Sequence, residues 1–344
     1  MTAQRHRKDC TVRKNLGAAW LLACTLAAGT TGALASGDEV TPEQMINAME
    51  ATFGITPGER RNHTKGSCAA GEFTGNPEAA SYSRSALFSG AKIPVIARFS
   101  LGGGNPHASD AAQGVRGMAL EFRLPDGGLQ HMTMLDAPVF GAAKVRTFFD
   151  MIIAIRPDPA TGKPSPAKID AFRASHPDSL AQASFLQNHN PPASYANSAY
   201  FGIHTFRFVD KQGRIAQVRW RFVPADGEKS LTDAELKSMP RDFLEQALIE
   251  RTKRGPLRWD MIVALGEPGD SEDDPSQAWP ENRRQIRAGT LTITSATAQK
   301  GAECENINFD PLVMSDGIAA SSDPILLFRS PAYAYSYARR IAGK

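Results

Sequence analysis

Cysteine is scarce in this chain of 344 residues: there are four, Cys10, Cys24, Cys68 and Cys304. None belongs to a Cys-x-x-Cys-His motif, which excludes thioether attachment of a haem. Cys68 and Cys304 have no histidines at ligand spacing, which argues against a zinc site. An oxidising compartment would permit a bridge between them, but two cysteines so far apart do not decide it. Gly-x-Ser-x-Gly, His-Glu-x-x-His and the phosphate-binding loop are also missing, which argues against a hydrolase or nucleotide site. There is no internal repeat, coiled coil or long disordered tail.

Excess charge is lacking too. The formal net charge is +3, but five of the 39 basic residues and one of the 36 acidic residues precede Ser36. The remaining 34 basic and 35 acidic side chains leave −1. A near-neutral chain has no electrostatic reason to bind nucleic acid or an anionic membrane. The 42% hydrophobic content is enough for a large core, in one large domain or two small ones.

The basic residues set aside have a pattern of their own. Arg5, Arg7, Lys8, Arg13 and Lys14 are followed by an uncharged apolar run over residues 16–28. That run is shorter than the about 20 residues a membrane span needs. Ala33-Leu34-Ala35 has the small-x-small form of a cleavage site. Residues 1–35 therefore read as a secretory signal peptide, and residues 36–344 as one exported, periplasmic domain. Leu21-Leu22-Ala23-Cys24 approximates a lipoprotein box, but the apolar run continues past Cys24, so cleavage after Ala35 is preferred.

Along the mature chain, Thr41-Pro42 opens a short helix. Strands are predicted over residues 93–100, 117–124 and 129–135, with a turn at residues 125–128. Residues 200–209 and 215–223 form a second hairpin whose alternating aromatics face inward. Residues 261–266 and 290–295 add strands. Helices are predicted over residues 145–155 and 166–175, and Thr232-Asp233-Ala234-Glu235 is a capping box. Mostly antiparallel strands with inserted helices indicate an α+β barrel.

Near the end, Arg329-Ser330-Pro331-Ala332-Tyr333-Ala334-Tyr335-Ser336-Tyr337 crowds phenols and guanidiniums together. Asp323-Pro324 is an N-cap and first-turn pair. In a helix starting there, Arg329, Tyr333, Tyr337 and Arg340 share one face, Tyr335 points elsewhere, and Pro331 should kink the axis. A cation one turn away favours phenolate, and tyrosinate is one axial ligand of haem iron. From this stretch alone, a surface helix with amphipathic side chains is the default reading.

Other motifs occur in order: Arg60-Arg61-Asn62-His63-Thr64-Lys65-Gly66, Ala97-Arg98-Phe99-Ser100, Asp274-Pro275-Ser276-Gln277-Ala278-Trp279-Pro280 and Asn308-Phe309-Asp310-Pro311. With residues 323–333 they resemble the haem catalase superfamily, most closely its short branch of catalase-related peroxidases, over residues 41–342. The resemblance implies a catalase-type antiparallel β-barrel core with inserted and C-terminal helices, and non-covalent haem b as cofactor. It implies Tyr333 as iron ligand, with Arg329 beside its oxygen and His204 and Asp323 behind that arginine. It implies His63 as the distal acid–base and Ser100 as the partner that fixes its tautomer. Arg60, Arg98 and Arg340 would bind propionates, and Phe140 and Phe148 would pack on the haem. Tyr335 and Tyr337 read as packing residues.

One position departs from the pattern. Anchored on Pro138, the distal asparagine of true catalases becomes Leu135, which cannot hydrogen-bond peroxide, while Asp136 should face the other way. The family's long C-terminal helical region is also not found after the tyrosine helix, which would widen access and remove contacts for NADPH. The expectation is an exported haem b peroxidase acting on hydrogen peroxide or an organic hydroperoxide, using a small organic reductant, with weak catalase activity. A haem carrier and an allene oxide synthase-like hydroperoxide isomerase are the alternatives. Homo-oligomerisation is left open.

Overall fold

The computed structural model describes residues 39–344; the proposed signal peptide lies outside the described residues. Ten strands form one antiparallel sheet. They are β1 (Gly66–Gly75), β2 (Lys92–Leu101), β3 (Arg116–Arg123), β4 (Leu129–Leu135), β5 (Tyr200–Phe201), β6 (Phe206–Val209), β7 (Ile215–Pro224), β8 (Leu257–Leu265), β9 (Gln285–Ala298) and β10 (Ile318–Ala320). Nine α-helices are interspersed among the described residues: α1 (Pro42–Phe53), α2 (Pro77–Ala80), α3 (Val145–Ala154), α4 (Pro166–Ser175), α5 (Leu180–Asn188), α6 (Asp233–Ser238), α7 (Phe243–Lys253), α8 (Glu303–Asn306) and α9 (Pro324–Ile341).

The sheet closes on itself. β1 pairs with both β2 and β9, β9 with β8, and β8 with β7. The other way round, β2–β3–β4 is a meander that reaches β7 through β5. This is an eight-stranded antiparallel barrel, with β6 continuing the edge that β5 begins and β10 added outside it.

Strand alternation decides what lies inside. On β2, Ile93, Val95, Ala97 and Phe99 are buried in the barrel core. Phe99 meets Tyr195, Tyr200 and Trp259 there, at centroid distances of 5.4 to 5.8 Å. Each such aromatic contributes roughly 1.5–3 kcal/mol of burial. A period of two then turns Arg98 and Ser100 to the outer face. The same logic on β4 sends Met132 and Met134 inward and Thr133 and Leu135 outward. The barrel's apolar filling thus presents a polar outer wall on β2 and β4.

Two expectations need correction. β1 was not predicted, because its sequence, Gly-Ser-Cys-Ala-Ala-Gly-Glu-Phe-Thr-Gly, is poor in strand formers. Its place between two long neighbours makes it a strand nonetheless. The strand expected over residues 200–209 is broken at residues 202–205. There Gly202 lies against Trp220, where a Cβ would be 2.4 Å from the indole nitrogen, and His204 turns away to a partner on α9. Helix α9 is an 18-residue element with Pro331 inside it, its start fixed by Asp323 accepting from the Ile325 and Leu326 amides.

Candidate active site

The site is built on the outer wall of β2–β4, between the segment preceding β1 and helix α9. His63 stands on that segment with φ of 53°, the one non-glycine residue with positive φ among the described residues. Such a backbone costs about 1–3 kcal/mol and persists only when its surroundings hold it. Here Asn62 Oδ1 accepts from the His63 amide at 2.9 Å and from the Gly103 amide at 2.7 Å. Arg98 Nη2 donates to the His63 carbonyl at 2.6 Å and to that of Thr64 at 3.1 Å.

The imidazole lies against β3. A Cβ on Gly117 would sit 3.1 Å from His63 Nδ1 and Cε1 and 3.0 Å from Ser100 Oγ, so a side chain there would press on the ring and on its serine partner. Ser100 Oγ is 3.0 Å from His63 Nδ1. Burial pushes the imidazole down to about 3, and the charges of Arg98, Arg329 and Arg60 add to the effect. His63 is therefore neutral at ordinary pH, a base with one ring nitrogen held by serine. Leu135 pairs with Gly117 across β3–β4, one strand from that ring. Asp136 is turned away, as expected, with Oδ1 accepting from the Arg116 amide at 2.7 Å.

A second constellation belongs to α9. Arg329 Nη2 donates to Tyr333 Oη at 2.8 Å, one helical turn along. Its Nη1 donates to His204 Nε2 at 3.0 Å, and His204 Nδ1 lies 2.6 Å from Asp323 Oδ2. Arginine can only donate, so His204 Nε2 accepts and its proton sits on Nδ1 toward the aspartate. Burial pushes the His204 imidazole down, against the opposing pull of Asp323. The whole relay is buried at the His204–Asp323 end.

Three guanidiniums form a third group. Arg60 Nη2 donates to the carbonyls of Cys304, Glu305 and Ile307, while its buried Nη1 has no partner. Arg98 Nε donates to Gln299 Oε1 at 2.7 Å. Arg340 Nη2 reaches the Asn306 carbonyl at 3.4 Å, and its guanidinium lies over the Tyr337 ring. Burial, then the charges of Arg98 and Arg340, push Arg60 down to about 8. Burial likewise pushes Arg98 down to about 10, and Arg340 in the same direction. The protein surrounds these charges with neutral acceptors. Buried cations with a spare N–H suit a ligand that brings carboxylates. Phe140 and Phe148 stand together at 5.1 Å between centroids, a half-buried apolar wall.

The sequence-predicted residues therefore gather as three clusters: His63 with Ser100, Tyr333 with Arg329, His204 and Asp323, and the arginines 60, 98 and 340. Reasoning from sequence missed three partners. Asn62 holds the His63 backbone; its signal was an asparagine beside a left-handed residue. Thr133 Oγ1 accepts from Arg329 Nη2 at 2.7 Å, and strand alternation on β4 could have shown it. Gln299 bridges Arg98 and the Thr64 carbonyl, a contact with no local signal. Cys68 and Cys304 form a disulfide with Cα atoms 5.6 Å apart, tying β1 to the segment whose carbonyls hold Arg60.

A catalase family model matches residues 25–344. A catalase-related peroxidase of Synechococcus elongatus is 54% identical over 94% of this chain and 94% of its own length. One from Mycolicibacterium paratuberculosis is 36% identical over 86% of this chain and 94% of its own. Catalase A of Saccharomyces cerevisiae superposes with a TM-score of 0.77 at 23% identity, over 83% of this chain and 62% of its own.

Proposed function

The chain belongs to the haem catalase family, in its catalase-related peroxidase branch, and from that premise we propose an exported haem b peroxidase. It is a haem-dependent peroxidase by family; the proposal adds the electron donor, the roles of individual residues, the form of the cofactor and the compartment. The substrate is hydrogen peroxide or an organic hydroperoxide, and the electrons come from a small organic reductant. Catalase turnover is a slow side reaction.

The observation that carries the reading is the pairing of a neutral, serine-held His63 with an arginine-bound Tyr333 in one domain. Tyr333 would ligate the iron, its oxygen already receiving the Arg329 N–H. Arg60, Arg98 and Arg340 would bind the propionates; the unpartnered Nη1 of Arg60 supports this. When bound, haem supplies the electrons that cleave the O–O bond. His63 takes the proton from one peroxide oxygen and delivers it to the other, which leaves as water. Ser100 keeps the ring in the tautomer that does this. The Asp323–His204–Arg329 relay holds the arginine's positive charge beside the tyrosine oxygen.

Non-covalent binding is supported by the cysteines: the two in the described domain are spent on each other. The same disulfide supports export, because such bridges persist in oxidising compartments. Leu135, paired with the Gly117 that lies against the His63 ring, supports a weak catalase reaction, since it offers peroxide no hydrogen bond. A haem carrier would have no use for the His63–Ser100 pair.

The experiment is an absorption spectrum of the haem-loaded protein followed by stopped-flow mixing with hydrogen peroxide. A ferric tyrosinate spectrum that changes within milliseconds and is restored by a phenolic donor is expected. A protein that stays colourless with haem would overturn the reading. Export is tested by the N-terminus of the mature protein after cell fractionation, expected at Ser36.

A further inference from the structure

We propose that Tyr335 and the cleft it lines form the site where small phenolic reductants deliver their electrons. This rests on the peroxidase reading above and adds the place of donor oxidation.

Each tyrosine of α9 has its own arginine. Arg329 lies 5.3 Å from the Tyr333 ring, Arg339 4.8 Å from Tyr335 and Arg340 4.8 Å from Tyr337. Tyr333 is committed to Arg329 and Tyr337 to the carboxylate-binding arginine. Tyr335 is different because it has two sides. Inward, it packs, as Phe53 and Phe148 also do, against the small core of α1 and α3, and Phe148 stands against Phe140. Outward, it lines a cleft of about 570 Å³ between α1 and α9, with Asn47, Glu50, Ile55, Ala338 and Arg339.

The other tyrosines fail on chemistry or position. Oxidising a phenol at moderate potential requires that its proton leave. Tyr195 and Tyr200 are fully buried, and burial pushes both phenols far up, so neither can release it. Tyr82 packs against Arg284 near the end of α2, away from α9. Tyr335 is two residues from the proposed iron ligand on the same helix. Arg339 Nη2 donates to its oxygen at 3.3 Å, so the phenol's own proton is free to point into the cleft. Arg339 is fixed by Glu50 Oε2 and by Asn47 Oδ1 at 2.7 Å. Pockets of a few hundred Å³ accommodate small ligands, and a one-ring phenol fits this one. Glu50 is ionised, its hydrogen bonds from Arg61 and Arg339 outweighing burial, and offers the donor's O–H an acceptor.

The step balances. Tyr335 passes one electron inward and its phenolic proton to water in the cleft, becoming a neutral tyrosyl radical. A phenol in the cleft gives that radical one electron and one proton, restoring Tyr335 and leaving as a phenoxyl radical. Two such rounds accompany the reduction of one hydrogen peroxide to two waters; peroxide is the oxidant.

The test uses haem-loaded protein and two donors: guaiacol, and a phenol tethered to a polyethylene glycol chain too large for the interior. Tyr335→Phe keeps the ring and should retain haem content and spectrum. It should lose at least tenfold in the oxidation rate of the tethered phenol. Ala338→Trp, which fills the cleft, should raise the KM for that donor several-fold. Without donor, peroxide plus a nitroso spin trap should label the peptide holding Tyr335 in the parent protein and leave it unlabelled in Tyr335→Phe. If the parent protein oxidises both donors and Tyr335→Phe does so within twofold, or if the trap marks another residue, this inference fails alone. If the parent protein oxidises neither donor, the peroxidase reading fails and takes this inference with it.

Discussion

Asp323 holds His204 with one carboxylate oxygen, 2.6 Å from Nδ1, while its other oxygen caps α9 at the Ile325 and Leu326 amides. One side chain therefore sets where the helix begins and what stands behind Arg329. The start of α9 fixes the rotation of Arg329 and Tyr333, and the break between β5 and β6 lets His204 reach them. The cap alone is worth about 1 kcal/mol; its larger effect is to lock two constellations together.

His63→Ala should leave haem bound with the parent spectrum and lose at least about a hundredfold in the rate of peroxide cleavage, the scale of a general acid–base. Tyr333→Phe should do the opposite, losing haem or its tyrosinate spectrum. Stopped-flow and absorption measurements on the two variants separate the roles. Near-parent turnover in His63→Ala would refute the catalytic assignment.

Asn62→Ala removes the acceptor that holds the His63 backbone in its left-handed conformation. It should slow peroxide cleavage about tenfold, while Asn62→Asp, which keeps the oxygen, should recover most of the rate. Equal rates in both variants would mean that the Asn62 oxygen does not position His63.

The haem-free protein should weaken toward acid. The folded-state value of His63 lies near 3, below the ordinary 6.5, so the unfolded chain binds the proton first as pH falls. The contribution is full above about pH 6.5 and is lost progressively toward pH 3. Unfolding free energies from urea titrations at pH 7 and pH 4.5 should differ more for the parent than for His63→Gln, by about 1–3 kcal/mol. Identical pH dependence in the two proteins would contradict the burial of a neutral imidazole.

Cys68→Ser should cost about 2–4 kcal/mol of stability, since the bridge closes a loop across 236 residues. It should also weaken haem retention, because the Cys304 carbonyl is one of three that hold Arg60. Urea unfolding with and without reductant measures the first effect and haem titration the second. Two free thiols in the native, oxidised protein would remove the basis of both.

Much of the site was legible because its chemistry sits in short stretches. Arg329 and Tyr333 are one helical turn apart, and Asp323-Pro324 announces the helix that carries them. Arg98 and Ser100 were implied by the family motif Ala97-Arg98-Phe99-Ser100, and the alternation of β2 puts both on one face. Residues 202–205 show the limit: the hydrophobic pattern continued as a strand, yet the backbone breaks there to free His204. β1 shows another, since a Gly-rich segment with weak strand preference takes its conformation from β2 and β9.

The sequence by itself determined the helix that carries Tyr333, the inward filling of the barrel and the outward turn of its polar residues, because each follows from a local period of side chains. Only the tertiary structure decided that Arg60 would rest on carbonyls some 244 residues away, that Asn62 would clamp His63 against Gly117, and that Tyr335 would bridge an aromatic core and an open cleft. Those contacts depend on closure of the barrel, which brings distant segments together by packing, and no local pattern of residues encodes that distance.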